Sequence, residues 1–247
     1  MVAHYVGHPL RQFHDQLSER TFARVCYARF VSFGVQTSLW SGVQDDTDAT
    51  HAGTAFHDLR RSERTNLAGG AWIDVQRGWM HNGFDLLDCL LTADGWRAER
   101  RQMYDSVVDV PRLLCFYRTG EPVPWPALAE ARTVLAAHYH DELGEDLTSI
   151  GMCLYRTGRD SVAWHGDTIG RGATDDTVVA ILSLGASRTF ALRPRGEGAS
   201  LRLVLDHGDL IVMGGSCQQT WEHALPKTAR NVGPRVSVQF RAAVGVG

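Results

Sequence analysis

The chain has 247 residues, 44% of them hydrophobic and 9% aromatic, with a formal net charge of −3 at pH 7. That is enough apolar material for a full core in one all-β domain. The charge excludes a protein that binds nucleic acid through bulk basicity, so any such affinity has to come from a local patch. No apolar run approaches the roughly 18 residues of a membrane span and no signal peptide opens the sequence. Cys26, Cys89, Cys115, Cys153 and Cys217 are scattered and never form a Cys-x-x-Cys pair, which fits reduced thiols rather than a disulfide frame. The reading is a soluble, cytoplasmic, monomeric protein without membrane contact.

In chain order, residues 1–70 read as an N-terminal extension of uncertain structure. Within it, 22–35 suits a strand or short helix, and 44–59, rich in Asp, Thr, His and Ala, reads as loop. A second segment, 71–247, holds the clearer signals. Residues 84–91 are a short amphipathic helix with Phe84, Leu87 and Leu91 on one side. Residues 113–117 are strand-like. Residues 126–143 are a helix: Trp125-Pro126 opens it, proline suiting the first helical position. Leu128, Ala131, Leu135, His138 and Tyr139 line one of its faces. After Thr148 the pattern changes to short β-like runs, at 149–155, 162–165, 177–184, 189–192, 201–205, 210–213 and 235–241, parted by Gly, Asp and Asn turns. Many short strands at this spacing predict a sandwich or closed barrel. No internal repeat is present.

The chemistry concentrates in two places. Trp164-His165-Gly166-Asp167 carries two metal-ligating side chains at i and i+2, and a second histidine stands far downstream in Trp221-Glu222-His223. Two histidines and a carboxylate that leave positions open are the facial triad of non-haem Fe(II) oxygenases, whereas a structural zinc site is closed by four protein ligands. Such a set needs neutral imidazoles and an ionised carboxylate, so metal affinity falls in acid. In Arg235-Val-Ser-Val-Gln-Phe-Arg241 two arginines share strand parity, and a buried arginine is what a dicarboxylate such as 2-oxoglutarate requires. Six extended residues span about 20 Å, so both arginines serve one small diacid only if the strand bends or the side chains lean inward.

Two other arrangements imitate the signal. His207-Gly208-Asp209 repeats the His-x-Asp spacing, but it reads as a polar turn between two apolar strands and leaves little chain before His223. His138-Tyr139-His140 falls inside a helix, where i and i+2 diverge. Both are set aside.

From about Ala71 to Arg241 the chain resembles the AlkB family of 2-oxoglutarate- and Fe(II)-dependent dealkylases. The resemblance is carried, in the family's order, by Pro111-Arg-Leu, Leu154-Tyr-Arg, Asp160-Ser-Val-Ala-Trp-His-Gly-Asp167 and Ser183-Leu-Gly-Ala-Ser-Arg-Thr-Phe190. It continues through Asp206 to Gly215, Trp221 to Lys227 and Pro234 to Arg241. It implies a mainly β fold with flanking helices, a double-stranded β-helix (jelly roll). It further implies Fe(II) on His165, Asp167 and His223, with 2-oxoglutarate and O2 as co-substrates. Arg235 would bind the far carboxylate of 2-oxoglutarate with Ser237 or Tyr155 as hydroxyl partner, and Arg241 would point towards its metal-end carboxylate or the active-site wall. Where the family has Asn-x-Tyr, this chain has Cys153-Leu-Tyr155, so an amide near the co-substrate is missing.

Residues 95–104 with Pro111-Arg112 resemble the family's nucleotide-recognition lid. Trp96, Arg100, Arg101, Tyr104 and Arg112 are the expected substrate contacts, aromatic rings stacking on a base and arginines meeting phosphates. The expected activity is oxidative demethylation of N-alkylated bases in DNA or RNA, single-stranded or with the base flipped, in alkylation repair. Two alternatives stay open on the residues. One is a 2-oxoglutarate-dependent hydroxylase of a protein, lipid or metabolite. The other is a non-catalytic binding module on a jelly-roll scaffold.

Overall fold

In the computed structural model, residues 55–103, 106–144, 146–167, 175–196 and 198–242 are described, with backbone alone for 101–103 and 106–108. The described residues form twelve strands in two sheets. They are β1 (Glu63–Asn66), β2 (Ala71–Gln76), β3 (Arg97–Met103), β4 (Ser106–Tyr117), β5 (Leu147–Tyr155) and β6 (Val162–His165), then β7 (Val179–Gly185), β8 (Arg188–Pro194), β9 (Leu201–Leu205), β10 (Leu210–Gly215), β11 (Trp221–Leu225) and β12 (Arg235–Ala242). The larger sheet runs β1-β2-β10-β7-β12-β5-β4-β3 and the smaller β6-β11-β8-β9. Their inner faces pack Ile73, Ile181, Ile211 and Met213 of the first against Phe190 and Leu192 of the second. This is the expected jelly roll. Upstream of Ala71, β1 pairs with β2 and Phe56 bridges Met80, so residues 56–66 already belong to this fold. The run expected at 22–35 lies outside the described residues.

The helices are α1 (Phe84–Leu91), α2 (Pro126–Leu143) and the short α3 (Cys217–Thr220). In α2, Trp125 is extended and Pro126 takes the first position, while Gly144 ends it at φ 68° with its N–H on His140 O. Its buried face is Ala127, Leu128, Ala131, Leu135, Tyr139 and Leu143. His138, expected on that face, is exposed. Tyr139 Oη donates to Asp74 Oδ2 at 3.0 Å, and Arg64 donates to both Asp74 oxygens at 2.7 Å, which ties α2 to β2. In α1 the buried residues are Leu86, Leu87 and Leu90. Phe84, expected inward, is 64% exposed because its ring lies parallel on His207 at 3.8 Å instead.

Residues 97–103, within the 95–104 segment likened to a lid, form an edge strand of the larger sheet paired with β4. Cys115, Cys153 and Cys217 are free thiols, whereas Cys89 is disulfide-bonded, which corrects the reading of that residue as a reduced thiol. Among the described residues no helix is long and apolar enough to cross a membrane.

Candidate metal centre and co-substrate pocket

The centre begins with strand pairing. β6 and β11 run antiparallel with His165 opposite His223, and a register shift follows before Leu225 meets Val162. The two imidazole centroids are 4.3 Å apart, and Phe190 stacks on His223 at 5.5 Å. His165 Nδ1 lies 2.8 Å from Ala163 O. A carbonyl only accepts, so Nδ1 carries a proton and Nε2 is left for another partner. Nε2 lies 3.6 Å from Asp167 Oδ1.

Asp167 sits just past the end of β6. Arg241, on β12, donates Nε at 2.9 Å and Nη2 at 2.7 Å to its Oδ2. Burial raises the Asp167 pKa, but the charges of Arg241, His223 and His165 together with the Arg241 hydrogen bonds outweigh it, so the group stays ionised far into acid. Burial, aided by His165 and Arg241 and opposed by Asp167, pushes His223 down to about 3 and keeps it neutral. One ligand atom from each of His165, Asp167 and His223 lies within 4.8 Å of the others. Two imidazoles and a carboxylate gathered this closely fit a cation.

A second polar group is built on two neighbouring rows of the larger sheet. Arg235 lies opposite Tyr155 and Gly185, and Ser237 opposite Cys153 and Ser183. Arg235 is 1% exposed. Its Nε donates to Ser183 Oγ and its Nη1 to Ser237 Oγ, both at 3.2 Å, while Nη2 is buried with no partner among the described residues. Burial lowers its pKa to about 10, the Tyr155 side chain working against the shift. The Tyr155 phenol, hydrogen-bonded to Ser237, is pushed upward by burial and remains protonated. A buried guanidinium with one N–H to spare, among three hydroxyls, fits a carboxylate. Both parts of the site therefore fit the Fe(II) and 2-oxoglutarate implied by the donor set.

The sequence candidates are not all brought together. His165, Asp167 and His223 come together, and Arg235, Tyr155 and Ser237 come together as a second group. Arg241 joins the first group through Asp167, its Nε and Nη2 held by that carboxylate. Arg112 is half-buried, donates Nη1 to Ser161 O at 3.3 Å, and has a buried Nε with no partner among the described residues. Trp96 is placed otherwise: its Nε1 donates to Leu90 O at 2.7 Å, which closes the end of α1. Arg100 is exposed and pairs with Asp109 at 3.2 Å. The Arg101 side chain and Tyr104 lie outside the described residues. His207-Gly208-Asp209 is the expected turn, its buried carboxylate accepting from Arg77 Nη1, Gly78 N and Asp206 N. Spacing missed Ser183, Gly151 and Gln218. Ser183 follows from strand alternation, whereas the other two have no local signal.

Comparison with known proteins agrees with this geometry. The model of the 2OG-Fe(II) oxygenase superfamily matches residues 95–241, more than half of the chain. Human alpha-ketoglutarate-dependent dioxygenase alkB homolog 3 is 34% identical over 169 residues, covering 59% of this chain and 56% of that protein. The chain thus spans little more than half the length of that relative. Human DNA oxidative demethylase ALKBH2 is 26% identical over 222 residues, covering 74% of this chain and 83% of its own. A solved prolyl hydroxylase from Trichoplax adhaerens, in complex with a hypoxia inducible factor oxygen degradation domain peptide fragment, shares the fold at a TM-score of 0.51 and 10% identity, over 70% of this chain and 83% of that one. A cluster able to hold an ion, a buried arginine suited to a carboxylate and the match over 95–241 place the chain in the 2OG-Fe(II) oxygenase superfamily.

Proposed function

We propose that this protein oxidatively removes methyl groups from ring nitrogens of damaged nucleic-acid bases, of the 1-methyladenine and 3-methylcytosine type, in DNA alkylation repair. The observation that carries the reading is the cluster of His165, Asp167 and His223, in a chain that also buries Arg235 with its Nη2 unpartnered among the described residues. Similarity to a protein named DNA oxidative demethylase supports the substrate class. Fe(II) with 2-oxoglutarate and O2 supplies an oxidant able to hydroxylate a methyl group, with succinate and CO2 as by-products.

The residues divide the remaining tasks. His165, His223 and Asp167 would hold the metal. Arg235, with Ser237 and Tyr155, seats the far carboxylate and so orients the diacid. Arg241 keeps Asp167 ionised. No protein base is required, because a hydroxymethyl group on a ring nitrogen leaves as formaldehyde by itself. The methyl group lies on the pairing edge, so the base has to be flipped or single-stranded. Arg112, with a donor unspent beside Tyr155, is the recognition residue we retain from the expected set.

The test is formaldehyde release from a single-stranded oligonucleotide carrying either lesion, with Fe(II), 2-oxoglutarate and ascorbate. Wild type releases formaldehyde and His165→Ala does not. Turnover of 2-oxoglutarate to succinate without formaldehyde would assign another substrate to the same centre. Loss of both would point to a binding module.

A further inference from the structure

The turn that carries two of the three ligands is held from behind by one buried side chain. Gln218, 1% exposed, lies in α3, the helix that leads straight into β11 and His223. Its Oε1 accepts the backbone N–H of Asp167 at 2.8 Å. Its own peptide oxygen accepts Arg195 Nη2 at 3.2 Å. Gly166 allows this closeness, since a Cβ there would stand 2.3 Å from Gln218 O and 2.5 Å from Arg195 Nη2. The His165-Gly166-Asp167 turn therefore lies flat against the Gln218 peptide. The amide Nε2 meets Met213 Sδ at 3.8 Å, a weak acceptor. The strong bond of this side chain is the one to Asp167, and because an N–H only donates, position 218 has to present oxygen.

We propose that Gln218 is a positioning residue for the metal centre, tying the His165–Asp167 turn to the helix that enters the strand of His223. The inference rests on the reading of those three residues as metal ligands and concerns what holds them in register. His165 and His223 are already fixed by the β6–β11 ladder. Asp167 lies beyond the ladder, so its place has to come from other contacts. Arg241 grips the carboxylate and Gln218 grips the backbone, and two points of attachment fix an orientation where one permits rotation. Without the second, the turn pivots at Gly166, the residue type least resistant to backbone rotation.

The test titrates the full apo chain with Co(II) alone, read by visible absorption, alongside thermal melting of the apo protein. Gln218→Met keeps the shape and removes the acceptor; we expect Co(II) binding weaker by about tenfold or more, the range for partners of metal ligands. Gln218→Glu retains an acceptor oxygen and recovers most of the loss. Failure of wild type to bind Co(II), or equal binding by His165→Ala, would overturn the ligand reading itself. If those two behave as expected and Gln218→Met binds like wild type, this inference is wrong. A lower melting temperature with unchanged Co(II) affinity overturns it too, by making Gln218 a packing residue. Should Gln218→Met not fold, Arg195→Ala decides, since it frees the Gln218 carbonyl from a partly exposed side chain. Severalfold weaker Co(II) binding supports the tie, and unchanged binding refutes it.

Discussion

Arg241 and Asp167 meet through two hydrogen bonds that land on the same carboxylate oxygen, Oδ2. The other oxygen, Oδ1, faces His165 Nε2. One carboxylate is thereby divided, with one oxygen held by the arginine and one offered to the ion. Arg241→Met should weaken Co(II) or Fe(II) binding by about tenfold or more and move the acid-side loss of metal to higher pH. Metal titrations at several pH values test this, and an unshifted acid limb would sink it.

Stability without metal should fall in acid. The folded protein keeps His223 neutral down to about pH 3, while an unfolded histidine takes a proton below about 6.5. Between those values the unfolded chain binds more protons, so the His223 contribution is complete above about 6.5 and shrinks as pH drops. Below about pH 4 the depressed Asp167 adds a loss of the same sign. Melting temperatures of apo protein from pH 7.5 to 4.5 should decline, and the slope should flatten in His223→Gln. Equal slopes would contradict the assignment.

A buried cation without a counter-ion is a standing cost to the empty protein. Arg235→Met should therefore leave the apo melting temperature unchanged or raise it. It should also reduce stabilisation by 2-oxoglutarate and weaken its binding about 10- to 100-fold, one charge-assisted hydrogen bond being worth about 1.5–3 kcal/mol. Calorimetric titration of metal-loaded protein gives the number. Tight 2-oxoglutarate binding by this variant would rule out the pocket.

The two His-x-Asp segments can be told apart by substitution. Asp209 accepts from Arg77, Gly78 and Asp206, so Asp209→Ala should cost about 3–5 kcal/mol of folding stability while the folded fraction binds metal normally. Asp167→Ala should do the reverse. Denaturant curves paired with Co(II) titrations separate them.

Gly151 faces the metal side of β5, where a Cβ would stand 2.8 Å from Arg241 Nη1 and 3.2 Å from Gln239 Oε1. Gly151→Ala should cost about 1–3 kcal/mol through crowding and lower metal affinity in the manner of Arg241→Met. Wild-type affinity in this variant would show that Arg241 has room to spare.

Legibility in the sequence followed how local the cause was. Helix 126–143 was readable because proline opens it and glycine closes it in the left-handed region, both chain-local facts. The strands after Thr148 announced themselves by alternation, and His207-Gly208-Asp209 by its turn residues. Strand β2 stayed hidden because buried Asp74 and Gln76 interrupt its apolar pattern. Strand β3, Arg-Ala-Glu-Arg-Arg-Gln-Met, is an edge strand whose charges mimic a loop. Trp96 looked like a stacking surface, and only the position of Leu90 O shows that its N–H is taken. The bond between Gln218 and Asp167 joins positions 51 apart, and no spacing rule connects an amide to a backbone N–H at that range.

The pairing of His165 with His223 across β6 and β11 also orders events in time. These two residues are far apart along the chain, and β12, which carries Arg235 and Arg241, follows both. Closing so long a segment has to precede any gain from the contact. The three ligands cannot come together until the smaller sheet has formed, and Arg241 cannot hold Asp167 until the last strand has docked. Metal capture is therefore a late event in the life of a new chain. A metal-loaded molecule would be one in which the smaller sheet has formed and β12 has docked, and a half-folded chain would be denied the centre.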